Sequence, residues 1–194
     1  MASAGRVKLA AVVLAAGRSE RFGADKRLAQ RHGRPLIEWA LEALAGFDFA
    51  QKIAVVRDAD DPAGDILRHY DATPVVNARA AEGMGASLAC GIAALGEVDG
   101  AFIVLADMPD IPPGLYGEMA MGFAKGDADI VVPRHDGQAG HPVLFGAACF
   151  TELKALTGDR GGRGLIDPAR YRVAWLDSAH IGILRDVDRP KDLA

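Results

Sequence analysis

The run Ala11-Val12-Val13-Leu14 passes directly into Ala15-Ala16-Gly17-Arg18-Ser19-Glu20-Arg21-Phe22-Gly23-Ala24-Asp25-Lys26, and this junction constrains the chain more than any other stretch. An apolar run with no polar alternation is what a parallel strand buried on both faces requires. It breaks at once into a loop carrying two glycines, a serine and the cations Arg18, Arg21 and Lys26. Beyond the loop, residues 35–44 read as a helix, with Pro35 suited to the first turn. Strand, glycine loop and helix together form an anion grip. Glycine lets the backbone approach closely, N–H groups point at the anion, and Arg or Lys neutralises it. An ordinary strand-to-helix turn with solvated cations is the plain alternative.

Neither common nucleotide fingerprint is present. A P-loop closes on Gly-Lys-Ser/Thr, whereas Arg18-Ser19 follows Gly17. The dinucleotide pattern needs three glycines at fixed offsets, and the loop has Gly17 and Gly23. The series Leu14, Ala15, Ala16, Gly17, Arg21, Gly23, Lys26 instead follows the order Leu-Ala-Ala/Gly-Gly, spacer, Arg-x-Gly, Lys. In this the chain resembles the nucleoside-triphosphate transferases of molybdenum-cofactor biosynthesis, the MobA/MocA-like family.

Composition removes several other classes. Half the residues are hydrophobic in a chain of 194, enough for one domain with a proper core. No apolar run approaches bilayer-spanning length, so no membrane association is expected. The first residues lack a signal-peptide core, which points to a cytoplasmic protein. Two cysteines, Cys90 and Cys149, make no disulfide framework and lack zinc-ligand spacing, so both read as small buried residues. The net charge of −4, with cations concentrated around the first loop, argues against nucleic acid as a partner. A cationic loop on an acidic chain suits a small polyanion.

Further along, residues 52–57 form a second buried strand. Asp58, Asp60, Asp61 and Asp65 around Pro62 and Gly64 read as a solvated turn without function. A third strand, Thr73–Asn77, leads into a loop and a helix over about 85–95, where Ser87 and neighbouring amides could face a ligand. The fourth strand, Gly100–Ala106, is apolar throughout and ends in Asp107-Met108-Pro109. A carboxylate at the carboxyl end of a buried parallel strand stands where ligands bind in open α/β sheets. Mg²⁺ takes few carboxylates and fills its shell with phosphate and water oxygens, so Asp107 suits it; a helix cap is the alternative. A helix over 113–125 and a fifth strand over 128–133 precede a polar loop, residues 134–142, expected to be mobile over the site. Residues 147–156 read as a helix, and 158–166 as a glycine-rich turn into another. Strands are expected at 171–176 and 182–185.

The family resemblance recurs at these later stretches. Asn77, Gly83 and Ser87 match Asn-Pro, spacer, Gly-x-x-x-Ser, with Ala78 in place of proline; Leu105–Pro109 matches the metal motif. Gly140-His141-Pro142 is similar to the cytidylyltransferase branch, and 158–163 follows Gly-Asp-x-Gly-Ala-Arg except at Gly162. Asp186–Asp192 resembles Asp-Ile-Asp-Thr-Pro-x-Asp, with Arg189 replacing threonine. The resemblance implies a single domain over residues 1–194, an α/β three-layer sandwich with a mainly parallel, Rossmann-like sheet of the nucleotide-diphospho-sugar transferase type. It implies Lys26, Arg21 and Arg18 as catalytic cations. Leu14, Ala15, Ala16, Gly17, Asn77, Gly83, Ser87 and Asp107 would hold the nucleotide, and Asp107 with Asp188 would hold Mg²⁺. His141 and Arg163 would lie near the acceptor, although Arg163 could equally pair with Asp159. The implied reaction is CMP transfer from CTP to the terminal phosphate of molybdopterin, with pyrophosphate released. Ala16 sides with the CTP users, whereas GTP users usually carry glycine there. Guanylyl transfer from GTP, transfer to a sugar or polyol phosphate, and a non-catalytic nucleotide-binding chaperone for a molybdoenzyme are the alternatives. A molybdoenzyme receiving the product is a further partner the resemblance suggests.

Overall fold

The computed structural model describes residues 7–19 and 22–193. Strand β1 (Leu9–Leu14) shows why the apolar run has no polar alternation. Leu9, Ala11 and Val13 enter one hydrophobic core, while Ala10 and Val12 enter a second on the opposite face. The next segments are a small hairpin of β2 (Gln30–Arg31) and β3 (Arg34–Pro35), helix α1 (Leu36–Leu44) and strand β4 (Gln51–Val56). Helix α2 (Gly64–His69), strand β5 (Thr73–Val76), helix α3 (Met84–Ala93), strand β6 (Gly100–Leu105) and helix α4 (Gly114–Ala124) follow. Strands β7 (Ile130–His135), β8 (Gln138–Ala139) and β9 (Val143–Gly146), helix α5 (Phe150–Lys154) and strand β10 (Val173–Asp177) complete the regular structure, joined by short 3₁₀ turns.

The main sheet runs β10-β7-β9-β6-β1-β4-β5, with β8 paired to β7. Strands β6, β1, β4 and β5 are mutually parallel, as are β10 and β7; β9 runs antiparallel between β6 and β7. Ile37 and Leu41 of α1, Leu67 of α2 and Tyr116 of α4 pack on one face, and Leu88 and Ile92 of α3 with Leu153 of α5 on the other. This is the expected α/β sandwich with a mainly parallel sheet. The order in which strands are added reverses at β1: β4 and β5 are laid down on one side, and β6 returns to the other. In open α/β sheets the crevice at the carboxyl ends of such a switch point is where ligands bind. Here it opens beside the Leu14–Leu105 register pair.

Local expectations are corrected in several places. Residues 182–185 are not a strand; Ile181–Leu184 form a 3₁₀ turn whose Ile183 is buried against the sheet. The helix expected over 147–156 is a 3₁₀ turn running into the five residues of α5, and 162–165 is a single 3₁₀ turn. The loop expected to be mobile is a tight hairpin, because β8 pairs with β7 around Asp136-Gly137, both at positive φ. Asp61 is not a solvated acid: its side chain is 3% exposed and ion-paired to Arg27. Neither cysteine is bonded; Cys149 is buried as expected, whereas Cys90 is half-buried. Among the described residues, no helix is long and apolar enough to cross a membrane.

Candidate active site

The site is assembled from three strand ends and one returning segment. After β1, Ala15 stays on the sheet, donating its N–H to Val55 O at 3.0 Å, and the chain then leaves as the glycine loop. Ser19 sits at positive φ (54°), and its carbonyl accepts from the amides of Phe22 and Gly23. Gly23, at φ 77°, completes a turn that a side chain would strain. The loop closes when the Ser19 hydroxyl accepts from Lys26 N at 3.3 Å. Asp25 then caps a 3₁₀ turn, Lys26–Leu28.

This turn aims Lys26 at the end of β6. Its ammonium donates to Asp107 Oδ2 at 2.5 Å, to Val187 O at 3.1 Å and to Asp188 Oδ1 at 3.4 Å. The C-terminal segment reaches this point because Val187 N donates to Asp107 O at 2.9 Å and the Val187 side chain is buried. Asp107 and Asp188, 81 positions apart in the sequence, are thereby brought together. Asp186 joins them, and one carboxylate oxygen from each lies within 4.8 Å of the others. Burial pushes the Asp186 carboxyl above its usual range, and the charges of Asp188 and Asp107 add to that. Burial pushes the Lys26 ammonium down, but the neighbouring Asp107 and Asp188 charges outweigh it and hold it above its ordinary value. The group could hold a cation: it gathers carboxylate oxygens, two of which face the Lys26 ammonium.

A cavity of about 540 Å³ opens beside this cluster, walled by Leu14–Ser19, Lys26, Gly83, Met84, Ser87, Asp107, Asp186 and Asp188. Leu14, Ala15, Ala16, Gly17, Gly83, Ser87 and Asp107 thus share one wall, with Arg18 and Lys26 at its cationic side. Arg21 lies outside the described residues. Asn77 is set behind the wall: it is buried, donates from Nδ2 to Ser87 Oγ at 3.1 Å and accepts from Arg79 N. It orients the Ser87 hydroxyl and does not itself line the cavity. Gly83, at φ 117°, and Gly85 let the 158–160 loop sit on the start of α3, where Gly85 N donates to Gly158 O at 2.7 Å.

A second, more apolar cavity of about 290 Å³ adjoins the first across Leu14, Met84 and Leu105, and His141 and Arg163 line it. His141 is held by its own N–H to Ile183 O at 2.9 Å, and its Nδ1 is buried without a partner among the described residues. Burial pushes its imidazole below the usual value, outweighing the Ile103 carbonyl and the Asp107 charge. Among the described residues no Asp159–Arg163 ion pair is present, and Arg163 lines the second cavity. A cleft of about 630 Å³ by Phe47–Ile53 lies at the amino end of β4, away from every predicted site residue.

Two contributors escape the sequence reading. Asp186 had a signal in the alternation Asp186-Val187-Asp188, since an extended segment with its middle residue buried turns both carboxylates to one side. Arg27 had none. It is 3% exposed and donates to Ala15 O (2.8 Å), Asp61 (2.9 Å) and, through two nitrogens, Asp25 (2.9 and 2.6 Å). One guanidinium thereby ties the start of the glycine loop, the capping Asp25 and the loop after β4.

Fold and site together define a nucleotidyltransferase. The chain belongs to the family of the MobA-like NTP transferase domain, whose model matches residues 11–174. It is 27% identical to the purine catabolism protein PucB of Bacillus subtilis, over 95% of this chain and 93% of that one. It is also 27% identical to a probable molybdenum cofactor guanylyltransferase of Pyrococcus horikoshii, over 81% and 78% of the two chains. Among solved structures, Rv0371c of Mycobacterium tuberculosis superposes with a TM-score of 0.80 at 28% identity, covering 96% of both chains. That protein has also been solved as a complex with manganese.

Proposed function

We propose that the chain transfers the nucleotidyl group of a nucleoside triphosphate to the terminal phosphate of molybdopterin, releasing pyrophosphate. The observation that carries this is the convergence of the glycine loop, Lys26 and the carboxylates of Asp107, Asp186 and Asp188 on one cavity at the sheet's switch point. An acceptor phosphate oxygen forms a bond to the α-phosphorus while the α–β bridging bond breaks, and pyrophosphate leaves with the electron pair. The acceptor is already ionised, so no general base is required. The protein's work is positioning and charge neutralisation. Glycine-loop amides with Arg18, Arg21 and Lys26 meet the phosphates, and Ser87, held by Asn77, meets the ribose or base. The second cavity, with His141 and Arg163, takes the acceptor; Arg suits bidentate phosphate contact.

Asp107 and Asp188, with Asp186 beside them, would hold Mg²⁺. Their oxygens and the ammonium among them fit a cation that completes its shell from phosphates. When bound, the metal supplies neutralisation of phosphate charge. Guanylyl transfer is the reading favoured by the Pyrococcus horikoshii relative's name. Cytidylyl transfer is the second reading, supported by Ala16, whose methyl stands in the cavity wall. The test incubates the protein with Mg²⁺, molybdopterin and each of GTP, CTP, ATP and UTP, and measures pyrophosphate. Release with GTP or CTP only when molybdopterin is present supports the proposal and names the base. Release with none, or equally well with a sugar phosphate, overturns it.

A further inference from the structure

Lys26 lines the cavity at its carboxylate edge, and its ammonium is held there. Its three donors, which are all an ammonium has, go to Asp107 Oδ2, Val187 O and Asp188 Oδ1. Two of these acceptors belong to the carboxylates best placed to hold a metal. The ammonium is well shielded, with its side chain 15% exposed, so the pair with Asp107 is screened far less than a surface pair. An ammonium against those oxygens competes with a divalent cation for them and repels its charge.

The backbone of Lys26 is fixed at both ends, by its N–H to Ser19 Oγ and by Ala29 N donating to its carbonyl. Only the flexible four-carbon stem remains free to swing. The residue also lines the cavity beside Gly17 and Arg18, so an anion there is the alternative partner within reach. We propose that Lys26 is a tethered counter-cation that keeps divalent metal out of the Asp107/Asp186/Asp188 cluster until a triphosphate draws the ammonium away. This rests on the nucleotidyl-transfer reading and adds an order of binding to it. Metal alone binds weakly, and nucleotide and metal bind together. The same side chain serves twice, first holding the carboxylates and then meeting the phosphates.

The test titrates nucleotide-free protein with Mn²⁺ and follows the paramagnetic resonance signal of the free aquo ion. Lys26→Met and Lys26→Gln remove the charge, and Lys26→Arg retains it; circular dichroism checks that each is folded. Removing one positive charge in contact with the ligand oxygens is expected to tighten Mn²⁺ about 10- to 100-fold in the Met and Gln variants. The Arg variant should stay within about threefold of the unmodified protein. Unchanged affinity in folded Met and Gln variants overturns the proposal. Asp107→Asn distinguishes the two ways that can happen. If it weakens Mn²⁺ binding, the metal site stands and only the counter-cation role falls. If it does not, the metal assignment falls as well.

Discussion

Replacing Arg27 by Met tests whether one buried guanidinium holds the glycine loop in place. Methionine keeps most of the apolar stem, so little cavity is created. What disappears is the bidentate contact to Asp25, the bond to Asp61 at 2.9 Å and the bond to Ala15 O at 2.8 Å. Asp61, with a side chain 3% exposed, is left without its ion-pair partner in the interior. Breaking a buried pair from one side costs about 3–5 kcal/mol, because the remaining charge stays desolvated. For a domain of this size that corresponds to a fall in Tm of about 6–20 °C.

The loss should also depend on pH. Burial pushes the Asp25 carboxyl up, but Arg27 outweighs it through hydrogen bonds and charge and holds the group below its ordinary value. A depressed carboxyl stabilises the fold above its unfolded value of about 3.9, and that contribution is lost as pH falls through the folded value. Without Arg27, burial is opposed only by the weaker Arg57 charge and the sign reverses, so the variant weakens as pH rises. Calorimetry at pH 7 and pH 4.5 should therefore show the larger difference in Tm at pH 7. A drop of less than about 3 °C at pH 7, or an equal gap at both pH values, would refute the argument.

Other outcomes follow from close contacts. A Cβ on Gly85 would lie 2.5, 2.8 and 2.9 Å from the carbonyl oxygens of Arg160, Gly158 and Thr157, which cannot rotate aside. Gly85→Ala should therefore detach the 158–160 loop from α3 and raise the KM for nucleoside triphosphate, with limited proteolysis reporting the loosened loop. A Cβ on Gly162 meets only side chains, Phe145 Cζ at 2.9 Å and Leu88 Cδ2 at 3.3 Å. Gly162→Ala should cost about 1–3 kcal/mol by overpacking, and Phe145→Leu in the same chain should recover most of it in a denaturation midpoint. Ala16→Gly should improve the thermal shift given by GTP relative to CTP, because the removed methyl crowds the larger purine more. An unchanged ratio would remove Ala16 from base selection.

The framework was legible because burial on two faces leaves a distinct trace. Residues 9–14 and 100–105 carry no polar alternation, and both became central parallel strands. Their carboxyl ends had to share an edge of the sheet, which is why Leu14–Gly17 and Asp107 could be grouped from sequence. Failures fell where the backbone is held by tertiary contacts in place of periodic pattern. Residues 182–185 are as apolar as an edge strand, but Gly182 packs against Asp110, where a Cβ would lie 2.8 Å from its backbone carbon. That close approach fixes a turn. The sequence pattern has no way to record it.

Asp61 and Arg27 show a different limit. An aspartate beside Pro62 and Gly64 is usually solvated, and only the arrival of a cation from 34 positions earlier in the chain makes its burial affordable. Neither residue signals the other locally, so the pair is visible only once the strands are ordered. The same holds for the opposing demands on Lys26. The sequence places it in a phosphate loop, and the fold places its ammonium among carboxylates. Both placements follow from one side chain rooted between two cavity walls. The carboxylate contacts and the phosphate-facing role proposed for Lys26 make competing demands on one ammonium, and the metal affinity of the charge-removed variants is the quantity that separates them.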